Sequence, residues 1–101
     1  MSVENVVKVL LIDDDEDEYA LIQSYFFRFS SRKFQLDWVS TGDQAHRQLE
    51  KSGVDLILLD YWLKDGTGFE FMRHHVEQLK EIPVILLTSS EDRKVAEDAL
   101  K

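Results

Sequence analysis

The chain has 101 residues, 44% of them hydrophobic, and its 12 basic and 20 acidic residues give a net charge of −8. This length predicts one domain with one core, and the acidic balance argues against nucleic acid or an anionic membrane surface as a direct partner. The absence of cysteine excludes disulfides and cysteine zinc sites, and without a membrane-length apolar run or a leader pattern we expect a soluble cytoplasmic protein. The histidines His46, His74 and His75 lack a metal-site spacing and are predicted to lie on helix surfaces.

The first half of the chain predicts strand, helix, strand and helix. Residues 6–12 (VVKVLLI) form a nearly continuous apolar run, which is typical of a strand covered on both faces. A helix is predicted over residues 16–29, where apolar residues recur at helical intervals as Ala20, Leu21, Tyr25 and Phe29. Residues 34–39 (FQLDWV) alternate apolar and polar side chains, as a strand near a sheet edge does, and a second helix is predicted over residues 43–51.

The second half repeats this alternation. Residues 54–60 (VDLILLD) and 83–88 (PVILLT) are again continuous apolar runs, and a helix predicted over residues 68–80 separates them. A fourth helix is predicted to open at residues 89–92 (SSED), where serine can cap and acids occupy the first turn. Alternating strands and helices predict an α/β fold, a parallel sheet with helices on both faces and right-handed crossovers.

Acidic residues crowd the ends of the predicted strands. The segment LLIDDDEDEYALI, residues 10–22, runs from an apolar strand directly into acids, which is unfavourable unless a cation or hydrogen bonds compensate the charge. Asp13 and Asp14 end the first strand, Asp60 ends the third and Thr88 ends the fourth. The carboxyl ends of parallel strands share one rim, where ligands of such sheets bind. Three carboxylates there predict a Mg²⁺ site.

Several of these residues also have a simpler structural interpretation. Asp13 and Asp14 can cap the first helix and offset its dipole, and the acids at 15–18 are predicted to form a solvated first turn. Asp65 is predicted to be a turn former before a glycine. The aromatic string at 25–29 (YFFRF) is more often part of a core than a docking surface, although it can leave one ring exposed.

Three segments together resemble the receiver domain of response regulators, the phosphoacceptor module of two-component signalling. They are LLIDDD, LILLDYWLKDGTGFE and PVILLTSSED, and they occur in the family's order and at its separations over essentially the whole chain. The resemblance implies a single domain over residues 1–101 with a flavodoxin-like, doubly wound parallel sheet. The implied strand order is 2-1-3-4, with the fifth strand and fifth helix of the family absent from this chain.

The resemblance also implies a role for each residue of the rim. Asp60 would accept a phosphoryl group from a histidine kinase or a histidine phosphotransfer protein, and Thr88 would supply the switch hydroxyl. Asp13 and Asp14 would bind Mg²⁺, with Asp14 favoured as the direct ligand and Asp13 acting partly through water. The backbone carbonyl of Trp62 would complete the metal's protein ligands. The output would pass to an effector domain on a longer chain, and the module itself would not be a turnover enzyme.

Departures from the family keep other interpretations open. The family places a lysine on its fifth strand, and Lys101 cannot take that role because it ends the fourth helical pattern. A receiver-like interaction module that is not phosphorylated is therefore the alternative. A Mg²⁺-dependent phosphohydrolase is disfavoured because Tyr61 and Trp62, rather than a second acid, follow Asp60. The apolar edge at 83–88 predicts dimerisation, strand exchange or a longer chain.

Overall fold

The computed structural model describes residues 6–29, 33–51 and 53–87. Its elements in chain order are β1 (Val7–Ile12), α1 (Glu16–Phe29), β2 (Phe34–Val39), α2 (Gly42–Glu50), β3 (Leu56–Asp60), β4 (Trp62–Leu63), β5 (Gly66–Thr67), α3 (Gly68–His74), α4 (Val76–Leu79) and β6 (Val84–Leu87). The four predicted strands and the first two helices are confirmed, whereas the helix predicted from residue 89 lies outside the described residues. None of the described helices is long and apolar enough to cross a membrane.

The four long strands form one parallel sheet in the order β2-β1-β3-β6. Because β6 is the fourth of the strands predicted from the sequence, this order confirms the predicted order 2-1-3-4. The last residue of β1, Ile12, lies between Val39 of β2 and Leu59 of β3. The segments that follow β1 and β3 therefore leave the sheet at the same rim, side by side.

Both faces of β1 and β3 are covered, as their continuous apolar runs predict, whereas β6, at the edge of the described sheet, has no buried side chain and leaves Ile85 49% exposed. β1 buries four consecutive side chains, Val9 to Ile12, each at most 1% exposed. Side chains alternate between the faces of a strand, so the odd-numbered pair packs towards α1 and the even-numbered pair packs towards α2 and α3. Each such side chain contributes about 1.5–3 kcal/mol by leaving water, so the burial of β1 contributes strongly to the stability of the fold.

The face of α1 that packs on the sheet differs from the predicted stripe. Leu21 and Tyr25 of that stripe are 52% and 51% exposed. The side chains that do pack against the sheet are Tyr19, Ile22 and Phe26. Apolar residues occur around much of the circumference of α1, so periodicity alone could not select the buried face. The aromatic string joins the core only in part, and Phe27 is 90% exposed.

The single helix predicted over residues 68–80 is wrong, because the helix breaks at His75. This residue has φ −126° and ψ 27°, and its backbone N–H donates to the carbonyl of Met72 at 3.2 Å. A continuing α-helix would direct that N–H to the carbonyl of Phe71, four residues earlier. The His75 imidazole Nδ1 lies 2.8 Å from that same carbonyl oxygen. The side chain thus takes the acceptor that the backbone would need, and α3 ends there.

A short hairpin, predicted only as a turn, follows the third strand. Trp62 and Leu63 of β4 pair antiparallel with Thr67 and Gly66 of β5. The next backbone N–H, of Gly68, donates to the carbonyl of Tyr61 at 2.7 Å, which draws the start of α3 onto the end of β3. This close approach leaves no room for a side chain at residue 68.

Gly68→Ala is expected to lower the free energy of unfolding by about 2 kcal/mol, the usual cost of overpacking. An added Cβ would lie 2.5 Å from the backbone oxygen of Asp60 and 3.1 Å from Leu59 Cγ, so backbone must move. Urea denaturation followed by circular dichroism measures the change. Gly42→Ala is the matched control, because its Cβ would meet only side-chain atoms, the nearest at 3.2 Å on Phe71. Equal costs for the two variants would contradict this explanation.

Candidate functional site

The ends of β1 and β3 bring three carboxyl groups together. Asp13 follows β1, Asp60 ends β3, and Glu18 lies in the first turn of α1. One carboxylate oxygen from each lies within 4.8 Å of the others. Because β1 and β3 are neighbours in the parallel sheet, the strand order itself produces this carboxylate cluster.

Glu18 was missed as a site residue by the sequence analysis, which placed it in a solvated first turn. It is partly buried and faces Asp13 and Asp60. Asp14, which was favoured as the direct metal ligand, is exposed and is not one of the three clustered residues. Residues 13–18 are all acidic, so residue type alone cannot predict which of them turns inward. That choice depends on the direction in which α1 leaves the sheet.

Asp13 is fixed in place by its surroundings but keeps one oxygen without a donor. Its Oδ1 accepts the backbone N–H of Asp15 at 2.9 Å, which precedes α1, so this contact is not the helix cap considered from the sequence; Asp15 caps α1 instead, because its Oδ1 accepts the N–H of Asp17 at 2.9 Å. Its backbone carbonyl accepts the indole N–H of Trp38 at 2.8 Å, and that indole stacks on Tyr19. Its Oδ2 is buried and has no hydrogen-bond partner among the described residues. A buried, unpartnered carboxylate oxygen is unfavourable, and a cation would satisfy it.

The electrostatics of the two buried aspartates show how strongly charge is crowded here. Burial raises the pKa of Asp13 to about 8, the charges of Asp60 and Glu18 add to the shift, and the N–H of Asp15 opposes it. Burial raises the pKa of Asp60 to about 6, and the negative charge of Glu18 contributes to this rise. The backbone N–H groups of residues 61 and 62 lower the pKa and so oppose the rise. Both carboxylates therefore ionise at a higher pH than an ordinary aspartate does, and a positive charge beside them would favour their ionised forms.

The carboxylate cluster fits a hard divalent cation. Its donors are all carboxylate oxygens, which suit Mg²⁺, an ion that takes one or two protein carboxylates and keeps several waters. Asp13 supplies an oriented oxygen with no competing donor in the described part of the chain. Asp14 lies close enough for its charge to raise the pKa of Asp60, so it adds negative potential at the mouth of the site.

Comparison with known proteins agrees with the fold. The family model described as the response regulator receiver domain matches residues 9–101. This chain belongs to the receiver domain family. The match includes both strand ends that supply the clustered aspartates, so the carboxylate cluster lies within the part of the chain that defines the family.

Curated relatives of this receiver domain are response regulators. The two-component response regulator ORR5 of Oryza sativa subsp. japonica is 33% identical over 84 residues, which cover 80% of this chain and 60% of ORR5. The phosphate regulon transcriptional regulatory protein PhoB of Escherichia coli strain K12 is 35% identical over 83 residues, which cover 77% of this chain and 36% of PhoB. The receiver domain thus spans about 60% of the one relative and about a third of the other.

Solved structures show the same fold. The MaeR response regulator bound to beryllium trifluoride has a TM-score of 0.77 at 26% identity, covering 93% of this chain and 76% of MaeR. The phosphorylated cyanobacterial phytochrome response regulator RcpA has a TM-score of 0.78 at 27% identity, covering 95% of this chain and 74% of RcpA. These similarities confirm the flavodoxin-like parallel sheet predicted from the sequence.

Of the remaining predicted site residues, the structure describes Trp62 but not Thr88. Trp62 begins β4, is 47% exposed, and packs edge-on against Tyr61 with 4.7 Å between ring centroids. The role of its backbone carbonyl as a metal ligand stays a prediction. Thr88 lies outside the described residues, so its role as the switch hydroxyl also stays a prediction.

Asp65 has a structural role that the sequence analysis missed. Its carboxylate accepts the backbone N–H groups of Gly42 at 2.7 Å and Asp43 at 3.2 Å, at the start of α2. It therefore caps a helix from the hairpin loop, more than 20 residues along the chain, and ties β4 and β5 to α2. Local sequence patterns predict turns and caps between near neighbours, so they gave no signal for this contact.

Asp65→Ala is expected to lower the free energy of unfolding by about 1–2 kcal/mol, because two N–H groups at a helix start lose a charged acceptor. Asp65→Asn should cost about half as much, since the amide oxygen can still accept one of them. Urea denaturation measures both. Asp43→Ala is the control, because it removes an exposed acid of the same helix whose ion pair with Arg47 is worth only about 0.5 kcal/mol. A cost as large for Asp43→Ala would contradict the capping role.

Proposed function

We propose that this receiver domain is the phosphoacceptor of a two-component phosphorelay. Asp60 receives a phosphoryl group from a histidine kinase or a histidine phosphotransfer protein, with Mg²⁺ as the cofactor. The observation that carries the proposal is the carboxylate cluster, in which Asp60 lies beside Asp13, a buried aspartate whose Oδ2 has no hydrogen-bond partner in the described part of the chain. The phosphorylated RcpA and the MaeR complex with beryllium trifluoride support it by family relationship.

The proposed reaction is an in-line transfer to a carboxylate. A carboxylate oxygen of Asp60 attacks the phosphorus of a phosphohistidine, a P–O bond forms, the P–N bond breaks, and the imidazole leaves. Asp60 must be ionised to attack, and its pKa of about 6 leaves it largely ionised at pH 7 and above. When bound, Mg²⁺ offsets the repulsion between the incoming phosphoryl oxygens and the carboxylates.

The chain holds the reacting carboxylate in a fixed position. Asp60 is only 6% exposed, and the adjacent carbonyl of Tyr61 is bonded to Gly68. On the opposite side, Trp38 holds the backbone of Asp13. Positioning of this kind supplies much of the catalysis in phosphoryl transfer, because the transition state needs little covalent help from the protein.

We infer further that the domain is the substrate of the transfer and not a turnover enzyme. The phosphoryl group stays on Asp60 until it is hydrolysed, and Thr88 is the hydroxyl proposed to respond to it. The output passes to an effector domain on a longer chain or to a separate partner protein.

Intact mass after acidic quench tests the proposal directly. The chain is incubated with Mg²⁺ and acetyl phosphate beside Asp60→Asn, an EDTA sample, and the control Asp37→Asn, which removes an acid of β2. We expect one added phosphoryl group in the parent and in Asp37→Asn, and none in Asp60→Asn or with EDTA. A folded parent chain that gains no phosphoryl group would overturn the proposal and favour a receiver-like interaction module.

A further inference from the structure

A second polar cluster, separate from the carboxylates, joins α2 to the break between α3 and α4. The imidazole Nδ1 of His75 lies 2.8 Å from the carbonyl oxygen of Phe71, and its Nε2 lies 3.1 Å from Nδ1 of His46. The other nitrogen of His46, Nε2, contacts the carboxylate of Glu50. His46 lies on α2 with its side chain 40% exposed and His74 is exposed, as predicted for surface positions, whereas His75 is partly buried at the helix break, so the prediction is wrong for His75.

The two ends of this chain of contacts fix where the ring hydrogens lie. A carbonyl oxygen only accepts, so Nδ1 of His75 carries its hydrogen, and Nε2 of the neutral ring presents a lone pair. An ionised carboxylate also only accepts, so Nε2 of His46 carries its hydrogen, and Nδ1 of the neutral ring presents a lone pair. Two nitrogens that each present a lone pair therefore lie only 3.1 Å apart, an arrangement that is unfavourable unless they share a cation.

A transition-metal ion meets this requirement. Imidazole nitrogen is a preferred ligand of Zn²⁺, Ni²⁺ and Cu²⁺, whereas Mg²⁺ selects oxygen. With Zn–N bonds of about 2.0–2.1 Å, nitrogens at this separation subtend roughly 100° at the metal, close to the tetrahedral angle. Metal-bound histidines also direct their second N–H to a carbonyl or carboxylate, and both rings already have such an acceptor, in Phe71 and Glu50.

The surroundings of the pair leave room for the rest of a coordination shell. The histidines line a cavity of about 370 Å³ that also includes Asp43 and Glu70, so water can complete the shell beside negative charge. The ring of His75 stacks on buried Phe71 with 4.2 Å between centroids, which limits its rotation. A ring held in this way is preorganised for binding.

We propose that Nδ1 of His46 and Nε2 of His75 form a site for one borderline divalent transition-metal ion, for which Zn²⁺ is the probe. The ion would link α2 directly to the junction of α3 and α4. Glu50 and the carbonyl of Phe71 are positioning groups, since each orients a ligand ring without contacting the ion.

Calorimetric titration of the full chain with Zn²⁺, in saturating Mg²⁺ to occupy the carboxylate cluster, tests the site. We expect one Zn²⁺ per chain and an affinity that falls at least about tenfold in His46→Gln and in His75→Gln. Glu50→Gln should weaken binding by about tenfold, the usual effect of removing a group that orients a ligand. Arg73→Gln is the control, because Arg73 is an exposed residue of α3 beside these histidines in the sequence, and it should change the affinity by less than about threefold. Undiminished binding in His75→Gln, or an equal loss in Arg73→Gln, would overturn the proposal.

Imidazole ¹⁵N NMR on the parent chain identifies the ligating atoms without relying on any variant. Addition of Zn²⁺ should shift Nδ1 of His46 and Nε2 of His75, while the other nitrogen of each ring keeps its hydrogen. If neither resonance shifts in the folded chain at excess Zn²⁺, the shared cation is a proton only, and the metal site is refuted.

Discussion

Asp13→Asn is expected to stabilise the metal-free protein by about 3 kcal/mol at pH 8 and to abolish most of its stabilisation by Mg²⁺. Burial and the neighbouring carboxylates raise the pKa of Asp13 to about 8, so keeping its charge in the folded state costs free energy. One pKa unit corresponds to about 1.4 kcal/mol, and half of the rise from 3.8 already gives about 3 kcal/mol. The neutral amide removes that cost, together with the unpartnered oxygen that would bind the cation.

Urea denaturation with EDTA and with excess Mg²⁺ measures both effects on each variant. Glu81→Gln is the matched control, because it removes the same charge from an exposed position outside the carboxylate cluster. It should leave both the stability and the response to Mg²⁺ within about 0.5 kcal/mol of the parent. A destabilised Asp13→Asn, or one that still responds fully to Mg²⁺, would mean that Asp13 is not the strained carboxylate of the site.

The metal-free protein is expected to lose about 4 kcal/mol of stability as the pH rises from about 4 to about 8, relative to the double variant Asp13→Asn/Asp60→Asn. Both aspartates have folded pKa values above the ordinary value of 3.8, about 8 for Asp13 and about 6 for Asp60. Between the unfolded and folded values the native chain holds more protons than the unfolded chain. The free energy of unfolding therefore falls as the pH rises through this window, through both aspartates up to about pH 6 and through Asp13 alone from there to about pH 8.

Mg²⁺ should reverse this trend, because the ion binds the ionised carboxylates and competes with their protons. Its stabilising effect is expected to be small at pH 5 and to grow up to pH 8. Thermal melts at half-unit pH intervals, with EDTA and with Mg²⁺, measure the two slopes. A metal-free chain whose stability rises with pH over this range, relative to the double variant, would show that the two carboxylates ionise readily in the folded state.

The sheet was predictable because each strand is marked by its own short apolar pattern, and this pattern recurs four times along the chain. Three continuous runs of Val, Ile and Leu, with one alternating run, predicted strands covered on both faces and an edge strand. The two buried aspartates were predictable because each ends such a run, and the topology of parallel sheets gathers strand ends at one rim. The residues that carry the strand pattern in the sequence are therefore the same residues that form the sheet and place the two aspartates.

What the sequence did not predict depends on contacts between distant elements. The inward turn of Glu18 depends on how α1 crosses the sheet, and the cap that Asp65 provides reaches α2 from the hairpin loop. The break at His75 comes from a side chain that takes a backbone acceptor beside His46. Helical periodicity over residues 68–80 carries no information about such a competition, since all of these residues remain compatible with a helix.

The indole of Trp38 gives the acidic site an optical reporter within its own structure. Its N–H is bonded to the carbonyl of Asp13, and its ring lies flat against Tyr19. Because indole emission depends on nearby charge and on the hydrogen bond of its N–H, we expect a cation bound at the carboxylates to change the fluorescence of Trp38. Trp38, on β2, would thereby report from the other side of β1 whether the carboxylate cluster is occupied.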